Sequence, residues 1–310
     1  LRFNIQGYYD YRLTGNVGKK IKNIAPYIEN DSLINNIYDL EWDSSFDSII
    51  CGHCSEISSV IGKDILLYLI KRCIKYNKKM YSFDDLSKYT LIIPDEMKHN
   101  FYYPFISPAM VPSYFNGKLS LSSKPIIGVY GTSSKQGKYT IQLLLRKQLI
   151  NLGYKVGQIS SEPSGYLFGM DFVFPFGYHS TVETVNYDTL LILNDSIKKI
   201  EQDGCDLILT GAQSNTIPFD PHYMANMCFT TYDFLLGTLP DVVILCVNND
   251  DTIEYITRTI QFICSITNAR VIALIKFNRK RHKPVIGSSS ERYSLENMIY
   301  KKYGIPTFSI

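Results

Sequence analysis

The sequence predicts an α/β protein made of two parallel-sheet domains. Three observations carry this. Apolar, β-rich runs alternate with helical patterns along most of the 310 residues, the order that builds parallel sheets. The runs 242–247 and 271–275 are almost purely apolar, as strands covered on both faces are. Between 126 and 151 an apolar run, a glycine-bounded loop and a helical pattern follow one another, and together they read as one strand–loop–helix unit.

Residues 3–9 read as a first strand. Residues 13–24 then carry Gly15, Gly18 and two lysines ahead of a helical start. Gly15-Asn16-Val17-Gly18-Lys19 resembles a phosphate loop in miniature but lacks the third glycine of a dinucleotide fingerprint, so a glycine turn is the preferred reading. Residues 46–51 form the next strand and end in Cys51-Gly52-His53-Cys54. That cluster supplies at most three metal ligands, with no second pair at zinc spacing. Semi-buried thiols are the preferred reading, and a redox pair is the alternative if a helix starts directly after it. Residues 64–76 place Ile65, Leu66, Leu69, Ile70 and Cys73 on one helical face, and 80–83 reads as a short strand.

From 94 to 124, Pro94, Pro104, Pro108, Pro112 and Gly117 interrupt regular structure, with aromatics between them. This reads as an ordered connector, and the boundary is drawn at Ser122, giving domains 1–122 and 123–310. In the second domain Ile141, Leu144, Leu145 and Leu149 give 139–151 helical periodicity, Gly153 stops the helix, and 155–160 is the next strand. Helices are expected over 184–203, 251–267 and 290–303. Further strands are expected at 205–210, 242–247, 271–275 and 306–310.

Composition narrows the class. Apolar residues at 45% and charged ones at 20% describe a soluble globular chain. No apolar run reaches bilayer length and no signal peptide opens the chain. Seven cysteines in such a chain point to reduced thiols in the cytoplasm. A net charge of +3 is too small to mark a nucleic-acid footprint. The expected partner is a small-molecule substrate, without nucleic acid or membrane, and a homo-oligomer is left open.

The chemistry concentrates in Gly131-Thr132-Ser133-Ser134-Lys135-Gln136-Gly137-Lys138-Tyr139-Thr140. It resembles a P-loop, in which backbone N–H groups wrap an anion at a helix N-terminus. Against G-x-x-x-x-G-K-[ST], Gly131 stands one residue too far from Gly137 and Tyr139 separates Lys138 from Thr140. The strand before it and the helix after it favour the phosphate reading over an ordinary βα turn with a solvated lysine. Lys138 and the amides of 132–140 would hold phosphates, and Thr140 would bind Mg²⁺.

Other candidates cluster downstream. Glu162-Pro163-Ser164-Gly165 falls at the carboxyl edge of the sheet, where open α/β folds bind ligands, and is either a substrate contact or a plain turn. Asp171 and Glu183 flank 172–178 as metal or general-base carboxylates or as surface charge. The strand 205–210 ends at Thr210, where P-loop enzymes usually place an acid that supports Mg²⁺. Gln213 and Ser214, just beyond it, can donate hydrogen bonds but ligate a hard cation poorly. His222 follows Pro218-Phe219-Asp220-Pro221 in a loop, as a base or an incidental surface histidine.

Gly131-Thr132, four residues, then Gly137-Lys138 has the spacing of the dethiobiotin-synthetase branch of P-loop proteins. Within that branch the chain resembles a bacterial family that pairs an N-terminal Rossmann-like domain with a P-loop domain, and to which D-glutamate N-acetyltransferase is assigned. The resemblance runs through Asp47-Ser48-Ile49-Ile50-Cys51-Gly52, the P-loop, Ser164-Gly165, Asp171, Gly211-Ala212-Gln213-Ser214, Pro218 and the leucine-rich stretch 234–246. It departs at Thr210, where the family typically reads Glu-Gly-Gln-Gly-Ser.

The resemblance implies the fold and a phosphate site. Three functions follow as expectations. The first is an ATP- and Mg²⁺-dependent transferase or ligase that activates a carboxylate or amine on a small amino-acid-like substrate. Here Lys138, Glu183, Gln213 and His222 are the catalytic candidates, and Glu162, Ser164, Gly165, Asp171, Gln213 and Ser214 line the substrate. The alternative is an N-acyltransferase whose P-loop grips acetyl-CoA or another acyl-CoA, with Glu183 or His222 as base. The third is a non-catalytic nucleotide-binding protein.

Overall fold

Two units, Leu1–Tyr103 and Pro104–Ile310, each fold around their own core in the computed structural model. The structure describes residues 3–25, 30–277, 279–280, 283–284 and 300–309. Among these, no helix is long and apolar enough to cross a membrane.

In the first unit β1 (Tyr8–Asp10) pairs in parallel with β2 (Ile34–Asn36). The expected helical start within 13–24 is instead two short 3-10 turns, Arg12–Thr14 and Ile21–Asn23. A separate parallel sheet has the order β3-β4-β5: β3 (Ser48–Cys51), β4 (Lys79–Ser82) and β5 (Phe101–Tyr102). Helix α1 (Ser55–Ile61) follows β3 directly, and α2 (Ile65–Lys75) leads towards β4. Asp64 caps α2 by accepting the Leu67 N–H, and Arg72 and Lys75 sit in its last turn, where the dipole favours cations. The face read from periodicity is the buried one: Ile65, Leu66, Leu69, Ile70 and Cys73 pack with Trp42, Cys51, Met80, Leu86, Tyr89 and Ile93.

The second unit holds a seven-stranded parallel sheet in the order β14-β11-β10-β6-β9-β7-β8. Its strands are β6 (Ile126–Gly131), β7 (Val156–Ser160), β8 (Phe172–Val173), β9 (Leu207–Gly211), β10 (Val242–Asn248), β11 (Arg270–Phe277) and β14 (Thr307–Ser309). Between the last two, β12 (Arg279–Lys280) and β13 (Lys283–Pro284) pair antiparallel. The helices are α3 (Lys138–Asn151), α4 (Tyr187–Gln202), α5 (Phe229–Thr238) and α6 (Ile253–Thr267). Of the expected helix 290–303, residues up to 299 lie outside the described residues and 300–303 are helical.

Side-chain alternation along the strands decides which helix covers which face. Ile126 and Tyr130 of β6 share a core with Ile192, Leu193 and Ile197 of α4, Phe234 and Leu235 of α5, and Ile256, Ile260 and Ile263 of α6. The opposite face carries Val129 and Ile127, packed with Ile141, Leu145 and Leu149 of α3. Burial of both faces accounts for the uninterrupted apolar run in β10, whereas β11 buries Val271 and Leu274 but leaves Ile272 exposed, so its apolar run does not mark a strand covered on both faces.

From Pro104 onward the proline-rich connector joins this second core, whereas Met97, Phe101 and Tyr103 before it pack on the first. Ile106 is fully buried there. Its N–H donates to the Thr181 carbonyl at 3.0 Å, and its own carbonyl accepts the Glu183 N–H at 2.8 Å. Further on, the Ser120 N–H donates to Asn194 Oδ1 at 2.8 Å.

Candidate phosphate-binding site

β6 lies at the middle of the sheet, so its carboxyl end delivers the chain to the edge where parallel α/β folds bind ligands. Residues 132–137 loop over that edge and α3 begins at Lys138. Close backbone approach sets the glycines. A Cβ on Gly131 would stand 2.4 Å from Gln136 Oε1, and one on Gly137, at φ +69°, would stand 2.6 Å from the Phe277 ring.

The loop is cross-braced from within and from β10. The Gln136 side chain folds back, accepting the Ser133 N–H at 3.0 Å and donating to Thr132 Oγ1 at 2.7 Å. The Thr132 hydroxyl donates to the buried Asp251 carboxylate, which also accepts the Asn248 N–H at 2.8 Å. Asn248 Nδ2 donates to Ser133 Oγ at 3.1 Å, and the Tyr255 hydroxyl reaches the Thr132 carbonyl at 3.0 Å. Thr216 donates both its N–H and its hydroxyl to the Gly131 carbonyl, at 2.8 and 2.9 Å. A loop tied down at this many points is preorganised, so binding does not have to order it.

Lys138 is only 7% exposed. Its ammonium donates to the Ser133 carbonyl at 2.6 Å, and among the described residues it forms no ion pair with a carboxylate. Burial pushes its pKa down to about 8. Such a lysine, at the positive end of a 14-residue helix, is electrostatically suited to an external anion.

The predicted residues divide by position. Ser134 and Lys135 are exposed at the loop's crest, where Ser134 Oγ lies 3.3 Å from Ser214 Oγ. Gln213 donates to the Ser161 carbonyl at 2.7 Å, and a Cβ on Gly177 would come within 1.8 Å of its Oε1, so this amide is wedged against the 174–180 backbone. Tyr139 turns away from the loop: its hydroxyl lies 3.2 Å from Ser164 Oγ and its ring meets Phe168 edge-on. Glu162 is near enough to raise the Lys138 pKa slightly against burial. Gly165 serves packing, since a Cβ there would stand 2.4 Å from Ser160 Cβ.

Among the described residues, the remaining candidates form no hydrogen bond or ion pair with the loop. Asp171 accepts the Gln158 N–H at 2.7 Å and faces Arg146 at 3.9 Å, next to the edge strand β8. Glu183 is exposed and its backbone pairs with Ile106. His222 is exposed in its loop, with its N–H on Asp220. Thr140 is exposed on α3.

Thr210 is fully buried, and among the described residues its hydroxyl has no hydrogen-bond partner. It lies on the same face as Ile208 and Ala212, towards the core beneath α4 to α6. The carboxylate that reaches the loop comes from Asp251 instead, one strand away on the opposite side of β6. Sequence reasoning missed Asp251, Asn248 and Tyr255. The available signal was Asn248-Asn249-Asp250-Asp251 at the carboxyl end of an apolar strand.

Among the described residues, no group of three or more histidine, cysteine or acidic side chains is arranged to hold a metal ion.

Comparison with known proteins gives the following. The family model described as domain of unknown function (DUF1611_C) P-loop domain matches residues 113–297. The chain is similar in structure to a DUF1611 family protein from Anabaena variabilis, with TM-score 0.59 and 11% identity over 94% of this chain and 84% of that one. It is also similar, at TM-score 0.40 and 16% identity, to a nucleotide-binding protein from Archaeoglobus fulgidus in complex with ADP, over 60% of this chain and 80% of that one. Chloroplast FtsY from Physcomitrella patens follows at TM-score 0.38 and 12% identity, over 65% and 64%. No curated protein sequence matches the chain.

Proposed function

The chain belongs to the DUF1611 family through its P-loop domain, and we propose that this domain binds a nucleotide by its phosphates and uses it in a transferase or ligase reaction on a small amino-acid-like substrate. One observation carries the reading: a lysine ammonium buried at the first position of α3, with no carboxylate paired to it among the described residues. Burying an unpaired cation costs several kcal/mol, and a phosphate drawn onto the loop amides offsets that cost.

In this reading Lys138 and the amides of 132–140 grip the phosphates. Ser134 and Ser214 face one another at the loop's crest and add hydroxyl donors there. Glu162, Ser164 and Gln213 lie nearest for contact with the second substrate, while Asp251 holds Thr132 and so fixes the loop.

The residues do not fit a resident Mg²⁺ of the usual P-loop kind. Tyr139 stands directly after the lysine and points to Ser164, Thr140 is exposed, and Thr210 offers a buried hydroxyl among apolar groups. The same donor set favours a second reading, transfer of an acyl group from an acyl-CoA to an amine. A CoA pyrophosphate needs only a cation and amides.

Calorimetric titration with ATP, ADP and acetyl-CoA, each with and without Mg²⁺, tests both readings. Binding of ATP and ADP that changes little with Mg²⁺ and is lost in Lys138→Ala supports nucleotide use. Tighter binding of acetyl-CoA, equally dependent on Lys138, would move the conclusion to acyl transfer. An affinity indifferent to Lys138→Ala for every ligand would remove the phosphate site itself.

A further inference from the structure

The first unit carries a second chemical centre that owes nothing to the P-loop. β3 ends at Cys51 and α1 begins at Ser55, so Gly52, His53 and Cys54 form a tight turn between them. That turn brings Cys51 Sγ to 3.3 Å from Cys54 Sγ. Cys51 is buried, whereas Cys54 is half-exposed.

The turn is locked by one carboxylate. Asp84, just past the end of the neighbouring strand β4 and 3% exposed, accepts the Cys54 N–H at 2.6 Å, the Ser55 N–H at 3.1 Å and His53 Nδ1 at 2.7 Å. Burial alone would raise this carboxyl, but the bonds from His53, Cys54 and Ser55 outweigh it and hold it down at about 2. Asp84 therefore stays ionised and pins His53 and the start of α1 across the working pH range.

A metal does not account for the arrangement. No three-ligand cluster exists among the described residues. Two thiols within contact distance on a fixed turn need to approach by only about 1 Å more to reach the disulfide bond length of about 2.05 Å. We propose that Cys51 and Cys54 form a redox-active dithiol that exchanges with low-molecular-weight disulfides, with Cys54 attacking and Cys51 resolving.

The Cys54 thiolate attacks one sulfur of R–S–S–R and expels RS⁻, leaving a Cys54–S–S–R mixed disulfide. Cys51 then loses its proton to solvent and attacks the Cys54 sulfur, expelling the second RS⁻. The protein loses two hydrogens and the small disulfide becomes two thiols. Exposure assigns the roles, since the outer sulfur meets a ligand first. Its hydrogen bond to Cys54, then burial, then nearby negative charge push the Cys51 thiol well up, which keeps it a thiol until the mixed disulfide has formed.

The test is equilibration of the full chain with reduced and oxidised glutathione, followed by peptide mapping in a mass spectrometer. The proposal expects a Cys51–Cys54 disulfide at ratios that leave the remaining cysteines reduced. In Cys51→Ser, glutathione should accumulate on Cys54. In Cys54→Ser, Cys51 should react about tenfold more slowly or less, because exchange follows access and thiolate fraction. The wild-type measurement needs no variant to fold. A pair that stays reduced under fully oxidising glutathione would overturn the proposal. So would equal capture of glutathione by the two single variants. Neither result bears on the P-loop.

Discussion

Lys138 makes the sharpest prediction at the scale of single residues. Its pKa in the folded protein is lowered to about 8 from an ordinary 10.5. Between those values the unfolded chain binds more protons than the folded one, so this group makes stability rise with pH. Below pH 8 both states carry the ammonium and the burial cost is felt in full; above 10.5 neither does. Urea denaturation of the ligand-free protein across this window should show that rise, and Lys138→Met should lack it. Other lysines and tyrosines titrate there too, so the difference between the two proteins is the readout. Identical pH slopes would mean that the lysine is solvated. Thr210 gives the second prediction. Its hydroxyl is buried with no partner among the described residues, so Thr210→Val removes an unsatisfied group at nearly constant shape. Denaturant unfolding should find the variant as stable as the parent or more stable by about 1 kcal/mol. A loss of that size would reveal a partner for the hydroxyl. The sequence marked Gly131, Gly137 and Lys138 because a P-loop is a local motif. It was silent on Asp251, which meets Thr132 from 119 positions away, a pairing that only the β6–β10 register creates.

Among elements, those read correctly are the ones whose signals are local. α2 and α6 have side-chain caps at Asp64 and Thr252 and clear apolar faces. α5 was missed, and Gly237 is part of the reason: a helix-weakening residue sits inside it because a Cβ there would stand 2.9 Å from Leu193 Cβ. Close packing of α5 on α4 is a tertiary requirement that no local pattern encodes. The P-loop itself invites a test as an element. Gly137 has φ +69° and Gly153 has φ +94°, but a Cβ on Gly137 meets Phe277 while one on Gly153 meets nothing within 4 Å. Alanine at either position pays the left-handed strain of about 1–2 kcal/mol. Gly137→Ala must in addition displace Phe277 or reshape the loop. Denaturation midpoints should therefore fall further for Gly137→Ala than for Gly153→Ala, and ligand affinity should fall for Gly137→Ala alone. Equal effects would show that the loop yields without consequence for its shape.

For the whole molecule, the question is where an autonomous phosphate-binding unit begins. Prolines 94 to 112 announce irregular backbone without saying which core the connector packs on, because its apolar side chains carry no periodicity. The structure supplies the answer through Ile106, which is fully buried in the second core and bridged by its backbone to Thr181 and Glu183. Ser120 adds its bonds to Asn194. The bonds described for loop 132–137 come from residues 131–255, so nothing in that bracing requires the first unit. A fragment spanning 104–310 should fold cooperatively and bind the same phosphate ligand as the full chain, with the same dependence on Lys138. A fragment starting at 123 lacks Ile106, whose burial alone is worth about 1.5–3 kcal/mol, and leaves the Thr181 and Glu183 backbone groups without their partners. Denaturant titration should place it lower in stability by at least that amount. If the shorter fragment matched the longer one in midpoint and affinity, the connector would contribute nothing to the second core. If the longer fragment folded but failed to bind a ligand that the full chain binds, the phosphate site would have to draw on residues 1–103.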